Sequence, residues 1–177
     1  MNADSNIYVP LRDQDGRVVE SPEDYAARMH IVLPYFPGEL LIEWLHRHAA
    51  SSDDYCFLGY GDLRFTLEEW DLARIPGREA FKDGSFCDSF SSNFDQRAKN
   101  SFDWLARYMK KNGTWNTPVV LLGNIEGVFL FPNRVPLRQP YHLIEGHRRL
   151  SFLVALRNCG GARKKHQLWI ARIPGHP

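Results

Sequence analysis

Residues 141–152 read YHLIEGHRRLSF, and the break inside this stretch is the key to the architecture. An apolar run from Tyr141 to Ile144 stops at Glu145-Gly146-His147-Arg148-Arg149, and apolar residues resume at Leu150, Phe152, Leu153 and Leu156. The first part has the length of a buried strand and the second has helical spacing. A strand that enters a helix through glycine displays backbone N–H groups without intrahelical partners, at the positive end of the helix dipole. Gly146 lets a phosphate approach the backbone closely. Arg148 and Arg149 offer planar forked donors to phosphate oxygens. His147 donates or accepts a proton near neutral pH, and Glu145 is suited to a metal ion, a substrate hydroxyl or the role of a base. A purely structural turn is the alternative: Glu145 pairs with an arginine and the rest faces solvent.

Working outward, the helix after this turn ends at Asn158-Cys159-Gly160-Gly161, and the basic turn Arg163-Lys164-Lys165-His166 leads into a last strand, QLWIARI. Upstream of the turn lie a Pro-rich loop over 132–140, a short strand over 128–130 and a buried strand over 118–122. Residues 99–111 have an amphipathic helix pattern with Phe102, Leu105, Tyr108 and Met109 on its apolar face, stopped by Asn112-Gly113. Asp95 and Asp103 have no partner at a diagnostic spacing, and Arg97 reads as a surface residue.

The N-terminal part has a different texture. Residues 1–20 read as a loose arm with a hairpin turn at Asp15-Gly16. Ser21-Pro22-Glu23-Asp24 opens a helix over 22–31. A second helix starts near Pro37, carries Leu40, Leu41, Trp44 and Leu45 on one face, and stops at the SSDD of 51–54. Residues 55–67 read as a short strand and turn, and Thr66-Leu67-Glu68-Glu69 as the cap of one more helical turn. Phenylalanines at 81, 86, 90 and 94 either pack a long loop onto a neighbour or sit in short helical turns.

This order predicts an α/β (α+β) fold: a mixed sheet with packed helices over 96–177, preceded by a mainly helical extension with an aromatic-rich loop over 1–95. The chain has 177 residues, 44% hydrophobic and 13% aromatic, enough for a substantial core. A formal net charge of +1 argues against electrostatically driven binding to long nucleic acid, while leaving room for a local basic site. Cys56, Cys87 and Cys159 form no metal-binding pattern and read as buried thiols in a reducing compartment. No opening basic-then-apolar segment and no long apolar run are present, so a cytoplasmic location without membrane insertion is expected.

The stretches YMKKNGTWNTPVVLL (108–122), YHLIEGHRRLSFLVALRNCG (141–160) and QLWIARI (167–173) together resemble the ParB/sulfiredoxin-like superfamily over about residues 99–172. Gly146, Arg148 and Arg149 match the Gly-Glu-Arg-Arg turn of ParB proteins, with His147 in place of the glutamate. His147 and Arg148 match the sulfiredoxin turn, but Gly146 stands where the catalytic cysteine would be. Glu145-Gly146-His147-Arg148-Arg149 is also similar to the Asp-Gly-His-His-Arg turn of the related free-serine kinases.

The resemblance implies a bacterial-type nucleotide- or phosphate-binding protein, taking a nucleoside triphosphate (ATP or CTP) with Mg²⁺. Gly146, His147, Arg148 and Arg149 would hold phosphate, Glu145 would hold the metal, and Glu145 and His147 would be catalytic in an NTP hydrolase or phosphotransferase. Two alternatives stand beside it. One is a non-catalytic immunity or regulatory protein that binds a partner through the N-terminal extension. The other is a metal-dependent nuclease acting on nucleic acid.

Overall fold

A computed structural model describes residues 7–49 and 53–175, and its chain divides into two compact units. One comprises Met1–Phe65 with Ile173–His176, and the other spans Thr66–Arg172. Residues 66–95, expected in the N-terminal extension, therefore belong to the unit that carries the sheet.

In the first unit, helix α1 (Pro22–Val32) starts as its sequence dictates. The Ser21 hydroxyl accepts the Asp24 amide at 3.1 Å, and a proline stands in the first turn. Tyr25 and Met29, one turn apart, form its buried face. Helix α2 runs over Gly38–Leu40 and continues with π-type bonding through Leu41–His46, burying Leu40, Leu41, Trp44 and Leu45 as expected. The described part of the arm is tied down rather than loose. The Arg28 guanidinium donates to Ile7 and Val9 carbonyls and to Glu20, and the Tyr25 hydroxyl donates to the Tyr8 carbonyl at 2.6 Å. Arg28 holds the Glu20 carboxyl below the usual carboxylate range. The hairpin forms at Gly16, with Arg12 bridged to Val18. Trp44 packs edge-on against Tyr60 at 5.5 Å and Phe36 lies 4.5 Å from Phe65, so these aromatics serve as core. Residues 1–6 of the arm, and Ser51-Ser52 of the SSDD stop, lie outside the described residues.

The second unit is built on a four-stranded sheet in the order β1 (Arg64–Asp71), β4 (Lys165–Arg172), β2 (Val119–Gly123), β3 (Tyr141–Glu145). Strand β2 is buried throughout; it runs parallel to β4 and antiparallel to β3, so the sheet is mixed and the fold is α+β. Its helices are α3 (Gly84–Ser92), α4 (Phe94–Lys99), α5 (Trp104–Asn112) and α6 (His147–Asn158). One apolar core joins sheet and helices, with Leu121, Leu143 and Ile170 from strands against Leu105, Met109, Phe152 and Leu156 from helices.

Several elements differ from the sequence reading, each for a local reason. Thr66–Asp71 is strand rather than helix, because pairing beside β4 sets Glu68 against Arg172 (2.9 Å) and Glu69 against Lys165 (3.1 Å). Residues 53–62 are 3₁₀ turns instead of strand. The phenylalanine-rich segment takes the helical alternative: Asp83 caps α3, and Phe86 and Phe90, one turn apart, stack at 4.5 Å. Residues 128–130 make a single bridge, Leu130 to Pro136, and no longer strand.

The 99–111 helix starts late because the Asp103 carboxylate accepts the Ala106 amide and fixes the N-terminus there. Its buried face is Leu105, Ala106 and Met109, while Phe102 is 92% exposed and Tyr108 also faces solvent. Among the cysteines Cys87 is buried, and burial pushes its thiol pKa up; Cys56 is half-buried and Cys159 is exposed, against expectation. No helix among the described residues is long and apolar enough to cross a membrane.

Candidate functional site

The turn 145–149 forms where β3 hands the chain to α6. Gly146 adopts φ 97°, ψ 29°, a conformation strained for any residue with a side chain. The reason for glycine is packing as well as dihedral: a Cβ here would lie 2.6 Å from Val119 Cγ1 on β2. Gly146 is thus required by the sheet before any ligand is considered. It occupies the N-cap of α6 with no side chain capping it, and the first turn holds basic but no acidic residues. That end of the helix dipole is left to attract anions.

The guanidinium groups are not pointing idly into solvent. One Arg148 nitrogen donates to both Asp103 oxygens at 2.8 Å, which ties the start of α6 to the cap of α5. Arg149 donates to Glu145 at 3.0 Å, with both side chains mostly buried. Arg97, read as surface, also reaches Asp103 at 3.4 Å and lies over the Phe90 ring. The His147 ring sits edge-on to Phe81 and Phe86, at 5.8 and 5.7 Å.

The Glu145 carboxylate is engaged by Arg149, and among the described residues no group of three His, Cys, Asp or Glu side chains could hold an ion.

Two further residues here carry no signal in the sequence. Arg138 donates to the Phe81 and Lys82 carbonyls at 2.8 and 2.9 Å, bringing a cation from the Pro-rich loop to the segment beside His147. His142, fully buried in β3, accepts the Arg138 amide at 3.2 Å. Burial, then the positive charges of His147, Arg138 and Lys82, lower the His142 pKa to about 4. The Asp103 cap had a local signal, an aspartate just before a helical run. The Arg148–Asp103 and Arg138–Phe81 contacts link residues tens of positions apart, whereas Arg149–Glu145 and Arg138–His142 are four apart.

The His142 environment makes stability pH-dependent. The unfolded chain takes up this proton near pH 6.5, whereas the native protein resists until about pH 4. This contribution is therefore complete above pH 6.5 and is lost as pH falls, by about 2 kcal/mol at pH 5. Urea unfolding at neutral pH and near pH 5 should show the loss, and His142→Leu should show much less of it. Equal losses in the two proteins would rule His142 out as the source.

A separate cavity of about 250 Å³ lies at the starts of β2 and β4, lined by Thr114, Trp115, Asn116, Arg163, Lys165 and His166. His166 is spoken for: Nε2 donates to the Arg163 carbonyl at 3.0 Å, and Nδ1 then accepts the Thr114 hydroxyl at 2.8 Å. Burial holds its pKa below the ordinary histidine value. None of residues 145–149 lines this cavity.

No protein-family model, curated protein or solved structure matches the chain.

Proposed function

We propose that this protein binds a phosphate-bearing ligand, with a nucleotide as the first candidate, at the N-terminal end of α6. The observation that carries the reading is the uncapped helix start at a left-handed glycine, followed by a first turn with basic and no acidic residues. Arg138, held by the Phe81 and Lys82 carbonyls, brings a further cation to the segment beside His147. Arg148 is the movable element. Its side chain is 44% exposed, so it can exchange Asp103 for a phosphate oxygen without being unburied. Gly146 and the backbone amides would form the floor of the site, and Arg149, held by Glu145, would contribute charge rather than a mobile fork. The resemblance to ParB/sulfiredoxin-like proteins and a cytoplasmic setting belong to this same proposal.

Binding is favoured over phosphoryl transfer or hydrolysis because Glu145 is engaged by Arg149. The same observation favours, as a second reading, a scaffold whose acids and arginines serve only to fix α6. Thermal unfolding with ATP, CTP, GTP, ADP or inorganic phosphate, each with and without Mg²⁺, separates the two. A ligand at about a hundred times its Kd adds about 2.7 kcal/mol, a rise of several degrees in a protein of this size. Arg148→Ala should reduce that rise. If no nucleotide or phosphate moves the wild-type transition, the scaffold reading replaces this one.

A further inference from the structure

The face that α5 turns to solvent carries rings and cations together. Phe102 just before the helix is 92% exposed and Trp104 56%, and Tyr108 follows Trp104 one turn later on the same side. Trp104 and Tyr108 are separated by about 6 Å of helix rise, a spacing that adjacent nucleotides of an extended strand can span. Large aromatics so displayed have no role in the core, which α5 contacts through Leu105, Ala106 and Met109.

Charge surrounds them with one sign. Arg107 and Lys111 lie on α5, Lys99 precedes it, and its C-terminal end meets the basic turn, where the Arg163 amide donates to the Gly113 carbonyl at 2.9 Å. Lys99, Arg107, Lys111, Arg163 and Lys164 enter no ion pair among the described residues. The nearby acids are already neutralised: Asp95 by Lys110, Glu69 by Lys165, and the buried Asp103 by Arg148 and Arg97.

We infer that this face binds single-stranded nucleic acid, with bases stacked on Phe102, Trp104 and Tyr108 and phosphates held by the flanking cations. Three physical arguments select this occupant. Exposed bases offer π-faces to aromatic side chains, and base stacking is tolerant of sequence. Unpaired lysines and arginines beside the rings suit a polyanion, whereas the centre of a protein interface is depleted in lysine. A duplex keeps its bases stacked on each other and cannot use the rings. The inference goes beyond the anion at α6 and stands without it.

Fluorescence anisotropy with labelled oligothymidine and oligouridine, and with a duplex of equal length, tests it on the full chain. The expected result is salt-sensitive binding of the single strands and weaker binding of the duplex; the two single strands decide between DNA and RNA. Trp104→Ala/Tyr108→Ala should weaken binding at least tenfold. Arg107→Glu/Lys111→Glu should do the same and flatten the salt dependence. These positions are exposed, so thermal unfolding should stay near wild type, and Phe102→Ala provides a third variant outside the helix. Absence of single-strand binding at low salt, or binding indifferent to all three variants, would overturn the inference. So would concentration-dependent self-association abolished by Trp104→Ala, since a second copy would then be the occupant.

Discussion

Replacing Gly146 by alanine is expected to destabilise the protein by about 3–4 kcal/mol, the largest effect of any single methyl group in the turn. Two costs add. A residue with a Cβ at φ 97° is strained by about 1–2 kcal/mol. The new methyl also meets Val119 Cγ1 at 2.6 Å, and Val119 has nowhere to retreat because it is fully buried in β2. Overpacking of that kind costs about 1–3 kcal/mol. The two parts can be separated. Val119→Ala leaves a small cavity on its own, but in combination with Gly146→Ala the added methyl partly fills it. The double variant should therefore be more stable than the sum of the single losses predicts, while the dihedral strain persists. Urea unfolding measures all three proteins. A Gly146→Ala protein within about 1 kcal/mol of wild type would show that the turn does not pack this closely on β2.

Asp103→Ala should cost about 3 kcal/mol, although the sequence around Asp103 shows only its capping role and not its pairing with Arg148. Its carboxylate is only 8% exposed and serves two ends of the structure at once. It accepts the Ala106 amide as the N-cap of α5, and it neutralises Arg148 and Arg97. Losing the cap accounts for about 1 kcal/mol. Losing the ion pairs accounts for the remainder, discounted from the range for fully buried pairs because both arginines are partly exposed. Asn at this position keeps a capping oxygen and removes the charge, so Asp103→Asn should recover about 1 kcal/mol relative to alanine. Identical losses in the two variants would assign the whole effect to the ion pairs. Asp103→Asn also frees Arg148, and under the proposed function it should strengthen the thermal response to nucleotides even as it lowers the starting stability.

These two residues show how legible the site was. Gly146 announces itself, because a glycine between an apolar run and a helical pattern has few structural uses. Its near contact with Val119 does not, since it depends on β2 lying beside β3. Asp103 shows only its capping role, because its partner Arg148 stands 45 positions away. The pairing of Glu145 with an arginine was an alternative the turn itself offered, and Arg149 makes it; the engagement of Arg148 with Asp103 was not visible. Phe102 and Tyr108 illustrate the opposite error, in which helical spacing alone placed them inside. The Asp103 cap starts the helix after Phe102, and packing on the core turns Leu105, Ala106 and Met109 inward.

Elements with local signals follow from neighbouring residues alone: the Ser21-Pro22 start of α1, the buried β2, the Gly113 stop of α5, and the strand–glycine–helix passage at 145–147. Their order also points to the class, an α+β chain with a mixed sheet. Tertiary structure decided the rest. Pairing beside β4 made a strand of Thr66–Asp71 where local capping favoured a helix, and a carboxylate 45 positions away holds Arg148. Packing on the core determined which aromatics of α5 remain in water. The physical reason is common to all three. Capping and periodicity act over a few residues, whereas strand pairing, charge neutralisation and burial depend on partners that only the folded chain brings together.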